Sequence, residues 1–242
     1  RLMASPNYWL LSLVNQTALF SVPAFLFISG LSAGYSTSTG PMTDDWPVLR
    51  ARLTSLVGPY ALWTLVVFGI DAALGTVLAP GDYLLRLLTG RATEAFYFVP
   101  LLVQFYLLSP LLVRGARKHP RAMLATAVAV QALVLLYPYV RTLVLPTTGP
   151  WPTLRWSGWT ILRWPVYYVL GTVLATHPRP AARLLNRYRG ALLAVAITLV
   201  PLMLAESQAL WRAVGDWDWS HGSFRISSTL FAVAFILSAL TW

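Results

Sequence analysis

The sequence contains no cysteine and only three histidines, far apart. Without cysteine there is no disulfide framework and no thiolate chemistry. So few histidines, so widely spaced, also argue against a structural zinc cluster, and no metal is expected. The HExxH, P-loop and dinucleotide-glycine patterns are all missing, and the first residues show no signal-peptide pattern. Lysine is avoided in favour of arginine, which is compatible with a GC-rich bacterial genome. Charge is scarce: 11% of the 242 residues are charged, against about 25% in a soluble domain. Hydrophobic residues make up 57%, and the mean hydropathy is +0.63. A chain of this kind has lipid as its solvent.

What charge there is gives a net +10, yet its placement excludes nucleic acid as a partner. The basic residues sit in short connectors between apolar stretches rather than along one solvated face. A membrane-crossing helix needs about 20 residues, and seven stretches are long enough, near residues 10–35, 53–79, 94–114, 121–140, 158–176, 190–207 and 226–242. None shows the apolar/polar alternation of a barrel strand. The expected fold is therefore all-α, a polytopic helical membrane protein with about seven transmembrane helices in one domain, residues 1–242. No linker, low-complexity segment or clear internal repeat divides it.

Orientation follows from the connectors. RGARKHPR (114–121) and HPRPAARLLNRYR (177–189) each carry four basic residues and no acid, which places them in the cytoplasm by the positive-inside rule. Loop 36–52, with Arg50 and Arg52, then also lies inside, and loops 80–93, 141–157 and 206–225 lie outside. Two outer segments, GPWPTLRWSGW and WRAVGDWDWSHGS, are rich in tryptophan. They read as an aromatic belt at the headgroups or as a platform for stacking sugar rings. The chain opens at Arg1 without an initiator Met and closes at Trp242 inside an apolar run, and so reads as the middle of a longer protein.

A charged residue at a helix centre in a membrane costs roughly 2.5–3.5 kcal/mol on insertion scales, so each one needs a reason. Asp71, Glu94 and Arg163 all fall in the outer half of their spans. They line a substrate cavity, or else Asp71 and Arg163 form a structural ion pair or Arg163 snorkels to the interface. Arg50 and Arg52 stand at the cytoplasmic mouth of the second span, where guanidinium forks suit phosphate groups as well as fixing topology. His221, in DWSHGS, lies among Asp216, Asp218 and Ser220. It is the one candidate general base within the chain, against the plainer reading of an exposed loop residue.

Three segments resemble, in order, the acyltransferase-3 family of integral-membrane O-acyltransferases. SVPAFLFISGLSAGY is similar to the family's Phe-rich run closing on Ser-Gly, matched at Phe25, Phe27, Ser29 and Gly30. RARLTSLVGPYALW is similar to its basic run leading into Pro and an aromatic residue. VPLLVQFYLLSPLL resembles its Gln-Phe-Tyr-Leu-Leu-x-Pro-Leu helix, from Gln104 to Leu111. The chain departs at Ser55, where the family usually has a second Arg, and at Leu102 and Val103, where some subgroups have an acid.

The resemblance implies transfer of an acyl group, most often acetyl, from acyl-CoA to a hydroxyl of a cell-surface glycan or lipid. It implies a multi-pass protein of the inner (plasma) membrane, with about ten helices in a full family member. Arg50 and Arg52 would hold the phosphates of acyl-CoA (acetyl-CoA). Ser29 and Gly30 would admit its pantetheine arm or a neighbouring helix, with the Ser29 hydroxyl on the thioester carbonyl. Gln104 and Tyr106 would line the same cavity. The family's catalytic His stands on a helix that would precede Arg1, so the chain as given is expected to lack its own base and to be inactive by itself. A transporter or flippase for a lipid-linked or sugar substrate is the alternative that kinked spans, Asp71, Arg163 and aromatic loops also suit.

Overall fold

The computed structural model describes residues 6–37, 45–93, 95–145 and 158–241. Every regular element among them is helical. Six stretches are long and apolar enough to cross a membrane, which makes this a multi-pass membrane protein.

The first stretch is two helices, α1 (Pro6–Ala18) and α2 (Ser21–Ser36). The break at Leu19-Phe20 accounts for Pro23. This proline sits in the first turn of α2, where its missing N–H would have no intrahelical partner anyway. Chain then passes to α3 (Trp46–Ala73), α4 (Pro80–Thr89), α5 (Phe98–Lys118) and α6 (Pro120–Tyr139), which runs on into a π turn at Val140–Val144. After a 3₁₀ turn at Ile161–Arg163 come α7 (Pro165–Thr176), α8 (Pro178–Val214), α9 (Trp217–His221) and α10 (Ile226–Ala239).

Several boundaries differ from the sequence reading. α3 starts seven residues earlier than expected, because Trp46-Pro47 supplies a proline at the helix start. Arg50 and Arg52 are therefore inside a helix rather than in a loop. The basic connector 177–189 is not a loop either. It forms the first turns of α8, which holds 37 residues and is about 55 Å long at 1.5 Å per residue. Its arginines 179, 183, 187 and 189 are exposed. The fifth span shrinks to α7, 12 residues long, with the residues before it irregular.

The most extensive helix–helix contact joins α2 to α7, and small residues make it possible. Gly30 and Gly34 are one turn apart on α2, in a G-x-x-x-G spacing that lets backbones approach closely. A methyl group on Gly30 would overlap the carbonyl of Tyr168, and one on Gly171 would overlap the carbonyl of Phe27. Around this seam lies the main core, with Leu26, Phe27, Leu101, Leu102, Phe105, Trp164 and Tyr168 all essentially inaccessible. A second core joins α8 to α10 through Ala196, Leu199, Met203, Phe231 and Ala234. Beside it an apolar groove of about 410 Å³ opens between α1, α8 and α10, a surface that lipid tails can cover.

α3 is a loosely packed wall. Of its 28 residues only Leu49, Tyr60, Thr64 and Phe68 are buried. The amphipathic α4 braces its far half, where Tyr60 donates to the Leu87 carbonyl and Phe68 meets Tyr83 edge to face at 4.8 Å.

Candidate functional site

The basic end of the bundle holds one cluster built from four helices. Arg52 leaves α3 toward α2 and donates to the hydroxyls of Ser32 and Ser36, both at 2.8 Å, and to the Ser32 carbonyl at 3.1 Å. Ser32 and Ser36 can be reached together because i and i+4 lie on one helix face. The guanidinium also sits over the Tyr106 ring of α5, 5.6 Å from its centroid, within cation–π range.

Beside it, Asp45, buried at the foot of α3, pairs with Arg114 of α5 at 2.7 Å. Arg117, one turn on, donates to the Thr37 carbonyl at 2.6 Å. A narrow cleft of about 10 Å³ runs between these groups, lined by Ser36, Asp45, Arg52, Ser109 and Pro110 among others. Deeper in the bundle lies Tyr168 of α7, wholly buried. Its ring stacks on Phe105 with centroids 4.5 Å apart, and its hydroxyl is within electrostatic reach of Arg52 and Tyr106.

Three arginines and three serine hydroxyls at one helix-bundle mouth, with the Tyr106 ring beside them, can receive an anionic, phosphate-bearing ligand, since guanidinium groups bind phosphate by charge-assisted, bidentate hydrogen bonds. Seating anything larger than water in the cleft requires the helices that line it to part, and α3, with four buried residues in 28, has few buried contacts to resist that.

A family model described as an acyltransferase domain matches residues 2–242. The chain belongs to the acyltransferase-3 family. It is a membrane acyltransferase. No curated protein matches the chain, and no solved structure matches it.

Within this acyltransferase the residues singled out from sequence fall into distinct places. Arg52 and Tyr106 come together as described. Arg50 does not join them: two residues apart on α3, it points away and is exposed, because i and i+2 diverge on a helix. Gly30 is covered by the backbone of Tyr168, so the neighbouring helix, not an open channel, occupies its face. Ser29 is buried on α2, and the hydroxyls that Arg52 engages are those of Ser32 and Ser36.

Gln104 is committed to backbone. Its amide nitrogen donates to the Pro100 and Trp159 carbonyls at 3.0 and 2.6 Å, and its oxygen accepts from the Ile161 N–H at 3.3 Å. Asp71, half-buried near the far end of α3, makes no ion pair with Arg163 among the described residues. Arg163 lies instead over the Phe224 ring at 3.2 Å. Glu94 lies outside the described residues, as does residue range 146–157 with Trp151 and Trp156.

The opposite end of the bundle holds a second polar cluster, and it contains His221. That histidine is buried, not an exposed loop residue. It stacks on Trp217 at 3.6 Å, and its Nδ1 is 2.9 Å from the Ser220 hydroxyl. Asp216 is engaged in capping α9, accepting from the Trp219 N–H at 3.0 Å.

The centre of this cluster is Arg225, wholly buried, which donates to the Gln16 side chain, to the Met203 carbonyl at 2.9 Å and to the Gly222 carbonyl at 3.1 Å. Glu206 of α8 accepts from the Tyr139 hydroxyl at 2.5 Å and from the N–H and hydroxyl of Ser227. These bonds stitch α1, α6, α8 and α10 together. Gln16, Glu206 and Arg225 were not expected from sequence, although polar residues at the edges of apolar spans were the available signal. Asp45, Arg114 and Tyr168 were also missed, since nothing local marks a residue whose partner lies on another helix.

Proposed function

We propose that this acyltransferase takes an acyl group, acetyl in the first instance, from acyl-CoA and places it on a hydroxyl of a cell-surface glycan or membrane lipid. The observation that supports this best is Arg52, held by Ser32 and Ser36 over Tyr106 at the basic end of the bundle. By the positive-inside rule that end faces the cytoplasm of a cell bounded by the inner membrane, where acyl-CoA is supplied.

Arg52 meets the donor phosphates at the mouth, with Arg114 and Arg117 adding positive charge beside it. Phosphate replaces the serine hydroxyls as the acceptor of the Arg52 hydrogen bonds, and the freed serines can donate to the same ligand. In the reaction the acceptor oxygen forms a bond to the thioester carbonyl carbon, the carbon–sulfur bond breaks, and the hydroxyl proton ends on the CoA thiol.

The test is acetyl-CoA-dependent labelling of product in membranes carrying Arg52→Ala or Arg50→Ala. Arg52→Ala is expected to raise KM for the donor at least tenfold, with Arg50→Ala near wild type. Equal behaviour of the two variants would refute the assignment of Arg52.

A further inference from the structure

Tyr168 is one of the most thoroughly buried side chains in the protein, at 0% exposure, yet its hydroxyl has no hydrogen-bond partner. A buried polar group left unpaired is costly, and in native structures such a group calls for a reason. The nearest candidate partner does not supply one. Ser109 is the polar side chain beside it; its hydroxyl donates to the Tyr106 carbonyl at 2.7 Å and keeps lone pairs free to accept, yet no hydrogen bond of ordinary geometry joins it to the phenol.

Everything around the phenol serves to hold it still. Its backbone is seated on Gly30, where even a methyl group would not fit, and its ring is stacked on Phe105 at 4.5 Å. The ring is thereby fixed against Phe105, whose chain neighbour Tyr106 carries the ring that Arg52 covers. Tyr168 is also deeper in the bundle than the Arg52 partners: it meets α2 at Gly30, whereas Arg52 is bound at Ser32 and Ser36, further toward the basic end.

We propose that the Tyr168 hydroxyl is a ligand-binding group of this site, donating a hydrogen bond to the thioester carbonyl oxygen of a donor whose phosphates rest on Arg52. The inference rests on the donor reading given above and assigns its inner subsite. Depth orders the two contacts: the charged end of the donor stays at the mouth and its acyl end reaches the phenol. A fixed O–H aimed at a carbonyl oxygen also stabilises negative charge that develops there during acyl transfer, because no reorganisation is needed at that moment. Gly30 acquires a role in the same arrangement, since it lets α7 come close enough to place the phenol.

The experiment measures binding of acetyl-CoA and of free CoA to the protein in nanodiscs, for wild type and Tyr168→Phe, together with thermal unfolding of both. The variant removes one hydroxyl and keeps the ring. We expect its affinity for acetyl-CoA to fall about tenfold, the order expected for one lost hydrogen bond. Affinity for CoA, which has no thioester carbonyl, should be unchanged, and Tm unchanged or raised.

Undiminished affinity for acetyl-CoA overturns the proposal, as does an equal loss for both ligands or a lowered Tm that accompanies the loss. If the wild-type protein binds neither ligand, the donor reading itself fails and this subsite falls with it. That outcome is distinct from the others because it appears before any substitution is made.

Discussion

The α-carbon of Gly30 rests against the carbonyl of Tyr168, so that α2 and α7 meet backbone to backbone. This contact lies at the centre of the main core, and the fold around it has no slack. Gly30→Ala is expected to force the two helices apart and to destabilise the protein by about 1–3 kcal/mol, the usual range for overpacking. Gly58→Ala is the control, because nothing lies within 4 Å of its added methyl. In that helical position alanine should be neutral or stabilising by up to about 1 kcal/mol. Thermal unfolding in detergent of the two variants checks both directions.

Gln104 should behave as a structural residue. It replaces water for backbone groups at Trp159 and Ile161 that a lipid environment cannot satisfy. Gln104→Leu is expected to cost about 1–3 kcal/mol, the penalty for leaving a buried partner unpaired. KM for the donor should stay near wild type in the protein that remains folded. A large KM change with no loss of Tm would show that Gln104 contacts ligand.

Arg225 is the most exposed to failure of all the buried charges, because each of its three hydrogen bonds ends on a different segment. Each buried acceptor left without its donor typically costs about 1–3 kcal/mol. Arg225→Met should therefore lower Tm strongly. The Gln16→Leu and Arg225→Met pair should be less than additive, since both remove the same bond. A double-mutant cycle by thermal or denaturant unfolding measures that coupling, and strict additivity would contradict the geometry.

Asp71 and Arg163 should be uncoupled. No ion pair joins them, and Arg163 is placed over Phe224 instead. Stability changes of Asp71→Asn and Arg163→Gln should add to within about 0.5 kcal/mol, in the same unfolding assay.

The apolar period and the distribution of arginine made the membrane class and most of the spans legible from sequence, because lipid leaves a long helix little alternative. The G-x-x-x-G spacing at Gly30 and Gly34 was equally open to reading, though only its serine–glycine half was used. The candidate site was legible in part. Arg52 and Tyr106 stood out because a charge and a polar ring inside apolar runs are each conspicuous. Their separation from Arg50 was hidden by one misplaced boundary: with α3 begun at residue 53, both arginines look like neighbours in a loop, whereas in a helix they diverge. Tyr168 and Arg225 depend on contacts between segments distant in sequence, and no local pattern reports those.

α7 has 12 residues and so spans about 18 Å, well short of the roughly 30 Å of hydrocarbon in a bilayer. The chain before it, from 158 to 164, has no α-helix and has backbone groups held by Gln104 and the Trp164 indole, while Gln131 accepts from the Val166 N–H in the first turn of α7. Non-helical backbone of this kind is tolerated in a membrane protein only where protein encloses it or it lines a cavity, so α7 and the chain leading into it, with Trp164 and Tyr168 wholly covered, stand inside the bundle rather than against lipid.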